Sequence, residues 1–163
     1  MRALLQVLIT KVAALLGVAC VCGAVANTVL PMRIPWSYPW SHDIELRAAH
    51  EKIPLVSLQE ARDIVDAGAQ MVLDARSKTE FEKGHLPGAF SVPQAEAPVA
   101  LQHVEMLLAK NHAVLVYCAE RDCDEGLLLC LFLRERGFGK AALFLDGYRH
   151  WVATGLATER GAE

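Results

Sequence analysis

The residues of this chain best suited to chemistry lie where an apolar run ends on a cysteine. Cys118 directly follows the β-branched run Val114–Tyr117, and a short polar loop then leads to a leucine-rich helical pattern over 127–136. Ligands of α/β folds bind at the carboxyl ends of buried strands. A following helix N-terminus offers unpaired N–H groups and partial positive charge, which favour a thiolate. Cys118 is therefore predicted to be a nucleophile, the alternative being a small buried hydrophobic residue.

The other cysteines narrow the candidates. Cys20 and Cys22 lie in an apolar N-terminal segment and Cys130 lies on an apolar helical stripe, so the five cysteines form no secreted disulfide framework. Cys118 and Cys123 remain as a chemical pair. Five of the six histidines show no spacing that would pair them with a cysteine, so no metal site and no cofactor are predicted. A net charge of −3 argues against nucleic-acid binding.

The N-terminus has the pattern of a membrane element. Residues 12–30 form an uncharged run of 19 residues, close to the length that spans a bilayer. Arg2 and Lys11 precede it, which predicts that the N-terminus stays in the cytoplasm and that the rest crosses. The alternative is a removable signal peptide, because Ala-Val-Ala at 24–26 resembles a cleavage site, with cleavage near Ala26.

A Pro- and Trp-rich segment follows the apolar run. Its aromatic residues are Trp36, Tyr38 and Trp40. Such residues collect at membrane interfaces, or they cover an apolar patch of the domain. The predicted organisation is a signal anchor or signal peptide over 1–30, a linker over 31–50 and a folded domain over 51–163. The domain is expected on the periplasmic side of the inner membrane, held by a single span, or secreted to the periplasm after cleavage.

The folded domain alternates strand and helix patterns. Strands are predicted at 55–56, 71–74, 89–92, 114–117 and 141–145. Ser57 with Glu60 and Ser77 with Glu80 form capping boxes that begin two of the helices. This alternation predicts an α/β domain with a mostly parallel five-stranded sheet covered on both faces.

Three segments together resemble the rhodanese family of sulfurtransferases. Residues 71–89 place an acid and an arginine after a strand, then a glutamate-aromatic pair and a Gly-His-x-Pro-Gly-Ala turn. Residues 114–118 resemble the active-site strand and nucleophile of that family, and 144–151 its closing strand, glycine turn and tryptophan. The resemblance covers roughly 53–158 and implies a single three-layer rhodanese-like domain.

The resemblance implies a role for each matched residue. Cys118 would take a sulfane sulfur from a donor, hold it as a persulfide and pass it to a thiol acceptor. The loop whose backbone N–H groups would cradle thiolate and substrate includes Ala119, Glu120, Arg121, Asp122 and Asp124. Supporting residues would be Asp74, Arg76 and His85. His85 is expected to orient its turn, the alternative being a general base.

The loop departs from the common family pattern in its charge. Four carboxylates accompany the single cation Arg121, and they are Glu120, Asp122, Asp124 and Glu125. At a few ångströms each carboxylate costs a thiolate or an anionic donor about 1 kcal/mol. The last two lie in the first turn of a helix, where acids favour the helix dipole. Repulsion of a dianion such as thiosulfate is therefore expected.

Cys123 is the second departure, and it resembles a subset of the family that has a second cysteine five residues after the first. It would resolve a persulfide on Cys118, form a redox couple with it, or only pack the loop.

Three candidate functions follow from these roles of Cys118 and Cys123. The first is sulfur transfer through Cys118. The second is a thiol–disulfide or persulfide-reducing module that uses both cysteines, and the third is a catalytically silent module that binds a protein partner in the cell envelope.

Overall fold

The computed structural model describes residues 2–29, 43–105 and 113–161. The chain divides into two compact units, Met1–Tyr38 and Pro39–Glu163. The first unit contains α1 (Arg2–Val29), in which Gln6–Val29 is long and apolar enough to cross a membrane, a property that signal sequences share. The apolar N-terminal helix is thus present as predicted. The aromatic residues of the predicted linker lie outside the described residues.

The second unit is built on one five-stranded sheet. Its strands are β1 (Leu55–Val56), β2 (Met71–Asp74), β3 (Ala89–Ser91), β4 (Val114–Tyr117) and β5 (Ala141–Phe144). They are all parallel and lie in the order β1-β5-β4-β2-β3, which confirms the predicted α/β class and parallel sheet. Because β4 is the central strand, the residue that follows it lies at the middle of the carboxyl edge.

Helices connect the strands. They are α2 (Asp43–His50), α3 (Leu58–Ala67), α4 (Lys78–Lys83), α5 (Ala97–Glu105), α6 (Asp124–Glu135) and α7 (Gly147–Ala153), with a 3-10 turn at Gln94–Glu96. Both predicted capping boxes are present, at the starts of α3 and α4. The helical spacing of apolar residues over 98–110 predicts a further helix, which is described only as α5, since residues 106–112 lie outside the described part. The helix after Cys118 begins at Asp124, one turn before the leucine pattern.

Helix α2 lies inside the segment 31–50 that the sequence assigned to a linker. Its Ile44 and Ala48 are buried against the folded unit, while acidic and basic residues occupy its first and last turns. The helix has only eight residues, so its apolar stripe contains too few positions to be distinguished from a linker by periodicity. The folded unit therefore includes a helix that the sequence did not predict.

Strand β4 shows how the sheet separates two hydrophobic cores. Val114 and Val116 face a core that includes buried residues of α2, α5 and α6. Leu115 and Tyr117 face the opposite core, with buried residues of α3, α4 and α7. All four side chains are fully buried, and burial of a large apolar side chain stabilises a fold by about 1.5–3 kcal/mol. This three-layer packing holds the end of β4 in a fixed position.

Candidate active site

Cys118 lies directly after the central strand and is 3% exposed. The first turn of α6 packs against it, because Gly126 leaves room there. A Cβ atom at position 126 would lie 3.4 Å from the Cβ atom of Cys118 and 2.8 Å from a methyl group of Leu143. The second contact is with the end of the Leu143 side chain, which would have to shift to admit a larger residue, so glycine lets α6 approach this closely without displacing Leu143. The cysteine and the helix N-terminus therefore meet where the sequence predicted.

Cys118 and Cys123 form a disulfide in this structure. Their Cα atoms lie 6.1 Å apart, within the usual range for disulfides. Cys123 is also the N-cap residue of α6, where its side chain makes no capping hydrogen bond. The loop between the two cysteines thus brings together the two thiols that the sequence analysis grouped. The backbone cradle proposed for a thiolate of Cys118 remains a prediction for the reduced protein.

Glu125 places a carboxylate beside both sulfur atoms. Its Oε2 atom lies 2.9 Å from Sγ of Cys123 and 3.7 Å from Sγ of Cys118. Its place in the first turn of α6 predicts a favourable interaction with the helix dipole, but nothing in the local sequence marks Glu125 as a site residue. These three residues offer ligand atoms within 4.8 Å of one another. A zinc site would need the thiolates of both cysteines, however, and neither cysteine is a thiolate while the disulfide is present.

Arg121 is held by two carboxylates from other elements. Its guanidinium pairs with Glu45 of α2 and with Asp146, which precedes α7. The hydrogen bond to Glu45 raises the pKa of Arg121 above its ordinary value. The one cation of the loop is therefore neutralised by carboxylates of the protein itself. Its two ion pairs hold the loop between α2 and α7.

Two acids of the loop are paired as well. Glu120 accepts a hydrogen bond of 2.6 Å from Arg149 of α7, and Asp124 pairs with Arg47 of α2. A cleft of about 390 Å³ opens beside the loop, lined by Glu120, Arg121, Asp122, Asp146, Arg149 and His150. Around the loop, Arg47, Arg121 and Arg149 pair with five carboxylates, which are Asp43, Glu45, Glu120, Asp124 and Asp146, while Asp122 and Glu125 have no arginine partner among the described residues. The mouth of the site has an excess of negative charge.

The start of α7 holds the loop backbone. The N–H of Tyr148 donates to the carbonyl of Cys118 at 2.8 Å, and the N–H of Arg149 donates to that of Ala119 at 2.9 Å. Gly147 has a positive φ of 68°. A Cβ atom there would lie 2.6 Å from the carbonyl oxygen of Cys118 and 2.9 Å from the backbone of Ala119 and Glu120. The glycine turn predicted at 144–151 therefore forms the seat of the active-site loop.

Asp74, Arg76 and Tyr117 form a buried polar network next to the loop. Arg76 donates from Nε to both carboxylate oxygens of Asp74, at 2.9 and 3.1 Å, and the Tyr117 hydroxyl donates to Asp74 at 2.6 Å. Burial would lower the pKa of the Arg76 guanidinium, but the hydrogen bonds and charge of Asp74 raise it above its ordinary value. Burial also raises the pKa of Tyr117 well above its usual range. The network braces the ends of β2 and β4.

His85 has contacts that stabilise the turn. Its ring stacks on Phe81 with centroids 3.8 Å apart, and Nδ1 lies 2.9 Å from the Phe81 carbonyl oxygen. The backbones of His85 and Glu159 exchange two hydrogen bonds. These contacts attach the C-terminal segment to the turn, which agrees with an orienting role.

The chain has recognisable relatives. The family model for the rhodanese-like domain matches residues 57–154. The thiosulfate:glutathione sulfurtransferase of Homo sapiens is 28% identical over 109 residues, which cover 61% of this chain and 93% of that protein. A sulfurtransferase of Allochromatium vinosum is 24% identical over 93 residues, which cover 57% of this chain and 81% of that protein. The crystal structure of a thiosulfate sulfurtransferase from Pseudomonas aeruginosa matches with a TM-score of 0.60 and 28% identity, over 76% of this chain and 23% of that one.

Proposed function

We propose that this chain, which belongs to the family of rhodanese-like domains, transfers sulfane sulfur as a persulfide carried on Cys118. The observation that supports this most is the position of Cys118. It is nearly buried at the carboxyl end of the central strand and it contacts the first turn of α6. The relatives named as sulfurtransferases support sulfur transfer as the general activity.

The proposed reaction has two nucleophilic steps. The Cys118 thiolate attacks the sulfane sulfur of the donor, and the bond between that sulfur and the rest of the donor breaks. The donor remainder leaves with the bonding electrons, as a thiolate from an organic persulfide. An acceptor thiolate then attacks the outer sulfur of the persulfide and releases the Cys118 thiolate. Because a disulfide contains no thiolate, a dithiol reductant must first reduce the Cys118–Cys123 bond.

The charge around the loop favours a donor of low charge. The loop cation Arg121 is neutralised by Glu45 and Asp146, and the cleft beside the loop has more carboxylates than arginines. An incoming dianion such as thiosulfate would meet net repulsion that salt screens, while a neutral or singly charged organic persulfide would meet less. Organic persulfides are therefore the proposed donor class.

The disulfide favours a second candidate function. Because Cys118 and Cys123 are bonded to each other, the pair also fits a thiol–disulfide or persulfide-reducing module, in which both cysteines take part in every turnover. In that case the sulfur would leave as hydrosulfide and would not be passed on to an acceptor.

Single cysteine variants separate these functions. The reduced full chain in detergent micelles is given an organic persulfide, and sulfur transfer to cyanide is measured. Cys118→Ser is expected to abolish transfer and Cys123→Ser to retain it. An equal loss of activity in the two variants would support the reducing module. Reduced wild-type protein that transfers no sulfur from any donor, and still binds an envelope protein, would refute both enzymatic functions.

We also propose that α1 anchors the chain in the inner membrane, with the folded unit on the periplasmic side. The support is the apolar helix Gln6–Val29 together with the basic residues Arg2 and Lys11. The intact mass of the protein from a membrane fraction tests the anchor, since cleavage near Ala26 would remove the span. Digestion of the folded unit by protease added to spheroplasts tests the orientation, and protection from that protease would contradict it.

A further inference from the structure

Glu125 occupies a position that sulfur transfer through Cys118 alone does not use. Its carboxylate lies 2.9 Å from the Cys123 sulfur and 3.7 Å from the Cys118 sulfur. A negative charge next to a nucleophilic sulfur disfavours its thiolate form, so the arrangement does not serve the first nucleophilic step. It does suit a reaction between the two cysteines in which the proton of one thiol must be removed.

We infer that Glu125 is a catalytic residue that moves the proton in a persulfide-resolving step between Cys118 and Cys123. This inference rests on the proposed persulfide at Cys118 and on the second candidate function, in which both cysteines take part and the sulfur leaves as hydrosulfide. The Glu125 carboxylate takes the proton of the Cys123 thiol, and the resulting thiolate attacks Sγ of Cys118. The bond between the two sulfurs of the persulfide breaks, and the outer sulfur leaves with the electron pair and receives the proton from Glu125.

The step balances in atoms, charge and electrons. A persulfide anion on Cys118 and a thiol on Cys123 become a disulfide and one hydrosulfide ion. The sulfane sulfur is reduced by two electrons and the two cysteine sulfurs are oxidised by two. The disulfide in this structure is the protein product of that step. A dithiol reductant returns it to the dithiol form for the next cycle.

The neighbouring carboxylates are less suited to this role. Glu120 is paired with Arg149 at 2.6 Å and Asp124 is paired with Arg47. Glu125 makes no ion pair with an arginine or lysine among the described residues, and its carboxylate contacts the two sulfurs. Asp122 also lacks an arginine partner, but among the described residues it makes no hydrogen bond with either sulfur, so position selects Glu125.

The test separates loading of sulfur from its release. Full-length protein in detergent micelles is reduced, freed of reductant and mixed with one equivalent of cysteine persulfide. Loading is followed as a gain of about 32 Da in a Cys123→Ser background, with and without Glu125→Gln. Release is followed as hydrosulfide in single turnover, with Cys123 present. Glu135→Gln, the same substitution at the far end of α6, is the control for effects on the helix.

The inference predicts opposite effects on the two steps. Glu125→Gln is expected to load at least as fast as the parent protein, because a negative charge is removed from beside Cys118. Hydrosulfide release is expected to slow by about 100-fold, the usual contribution of a positioned general base. Loss of charge alone would speed both steps. Release from Glu125→Gln at the wild-type rate or faster would overturn the inference. Absence of loading on Cys118 would overturn the proposed function itself.

Two further readouts identify a proton acceptor. Because Glu125 is exposed to solvent, added formate is expected to restore release in Glu125→Ala, and failure to restore it would count against the role. Wild-type release is expected to vary little between about pH 6 and about pH 8, while release in Glu125→Gln rises with pH as Cys123 itself ionises. The charged and titratable groups of the loop and of the elements packed against it are the same in both proteins and include Asp43, Glu45, Arg47, His50, Glu120, Arg121, Asp122, Asp124, Asp146, Arg149 and His150. A parallel pH profile in the two proteins would contradict the inference.

Discussion

Replacement of Gly147 by alanine tests how the active-site loop is held. Gly147 has a φ of 68°, and a Cβ atom there would meet the backbone of Cys118, Ala119 and Glu120 at 2.6–2.9 Å. Backbone atoms cannot rotate away as the end of a side chain can. Gly147→Ala is therefore expected to push the loop off its seat and to weaken the hydrogen bonds that Tyr148 and Arg149 donate to it.

Gly155 provides a matched control for this substitution. It has a φ of 76°, and a Cβ atom there would meet nothing within 4 Å. In Gly155→Ala the unfolding free energy should therefore fall only because alanine is strained in the left-handed region. The net decrease is about 1 kcal/mol, since the smaller entropy of the unfolded alanine chain offsets part of that strain. Gly147→Ala adds the cost of overpacking, about 1–3 kcal/mol, for a total of about 2–4 kcal/mol.

Urea unfolding of the reduced full chain in detergent micelles measures both losses. Trp151 is 2% exposed and reports unfolding by fluorescence, in a background where Trp36 and Trp40 are phenylalanine. The rate of persulfide loading on Cys118 is measured in the same samples and is expected to fall in Gly147→Ala only. Equal losses of stability in the two alanine variants would refute the packing of the loop against Gly147.

Three other predictions concern the network, the second buried thiol and the donor. Tyr117→Phe removes a hydrogen bond to the buried Asp74 carboxylate and leaves the N–H of Leu86 without its partner. It is expected to lower the unfolding free energy by about 3 kcal/mol in urea titrations, and a loss below about 1 kcal/mol would contradict the network. Burial raises the pKa of Cys130 from 9.0 to about 12. Since the folded state holds the proton of the Cys130 thiol more tightly, the stabilisation that this thiol contributes is fully present below pH 9.0. It is lost as the pH rises towards about 12. The loss is about 1.4 kcal/mol per pH unit, and Cys130→Ala should remove it from denaturation curves measured above pH 9.0. Loading by thiosulfate is expected to accelerate as salt is raised from about 0.01 M to about 0.1 M, where the Debye length falls from about 30 Å to about 10 Å. Loading by a singly charged organic persulfide should change less, and a thiosulfate rate that falls with salt would contradict the repulsive loop.

The fold and the position of Cys118 could be predicted because they depend on local patterns. Each strand is a short apolar run, and the capping boxes at Ser57 and Ser77 specify where helices begin. An apolar run that ends on a cysteine places that cysteine at the carboxyl edge of a parallel sheet, whatever the order of the strands. The observed order, with β4 at the centre, comes from pairing between distant segments.

The remaining features of the site depend on contacts that no local pattern encodes. Arg121 meets Glu45 and Asp146, which are 76 and 25 residues away along the chain. Glu125 satisfies the rule for acids in a first helical turn, and that rule offers no indication that its side chain turns towards two sulfurs. The sequence feature that could have identified Glu125 is its position two residues after Cys123. It becomes informative only when Cys123 is known to be the N-cap of α6.

Whether Cys118 carries the sulfur is tested most directly by locating the transferred sulfur on the protein. Reduced full-length protein with Cys123→Ser is treated with an organic persulfide, alkylated and digested, and the cysteine peptides are compared by mass spectrometry. If Cys118 carries the sulfur, the Cys118 peptide gains about 32 Da, and the peptide that contains the buried Cys130 gains none. An unmodified Cys118 peptide under conditions that load a known sulfurtransferase would contradict the proposal that Cys118 carries the sulfur.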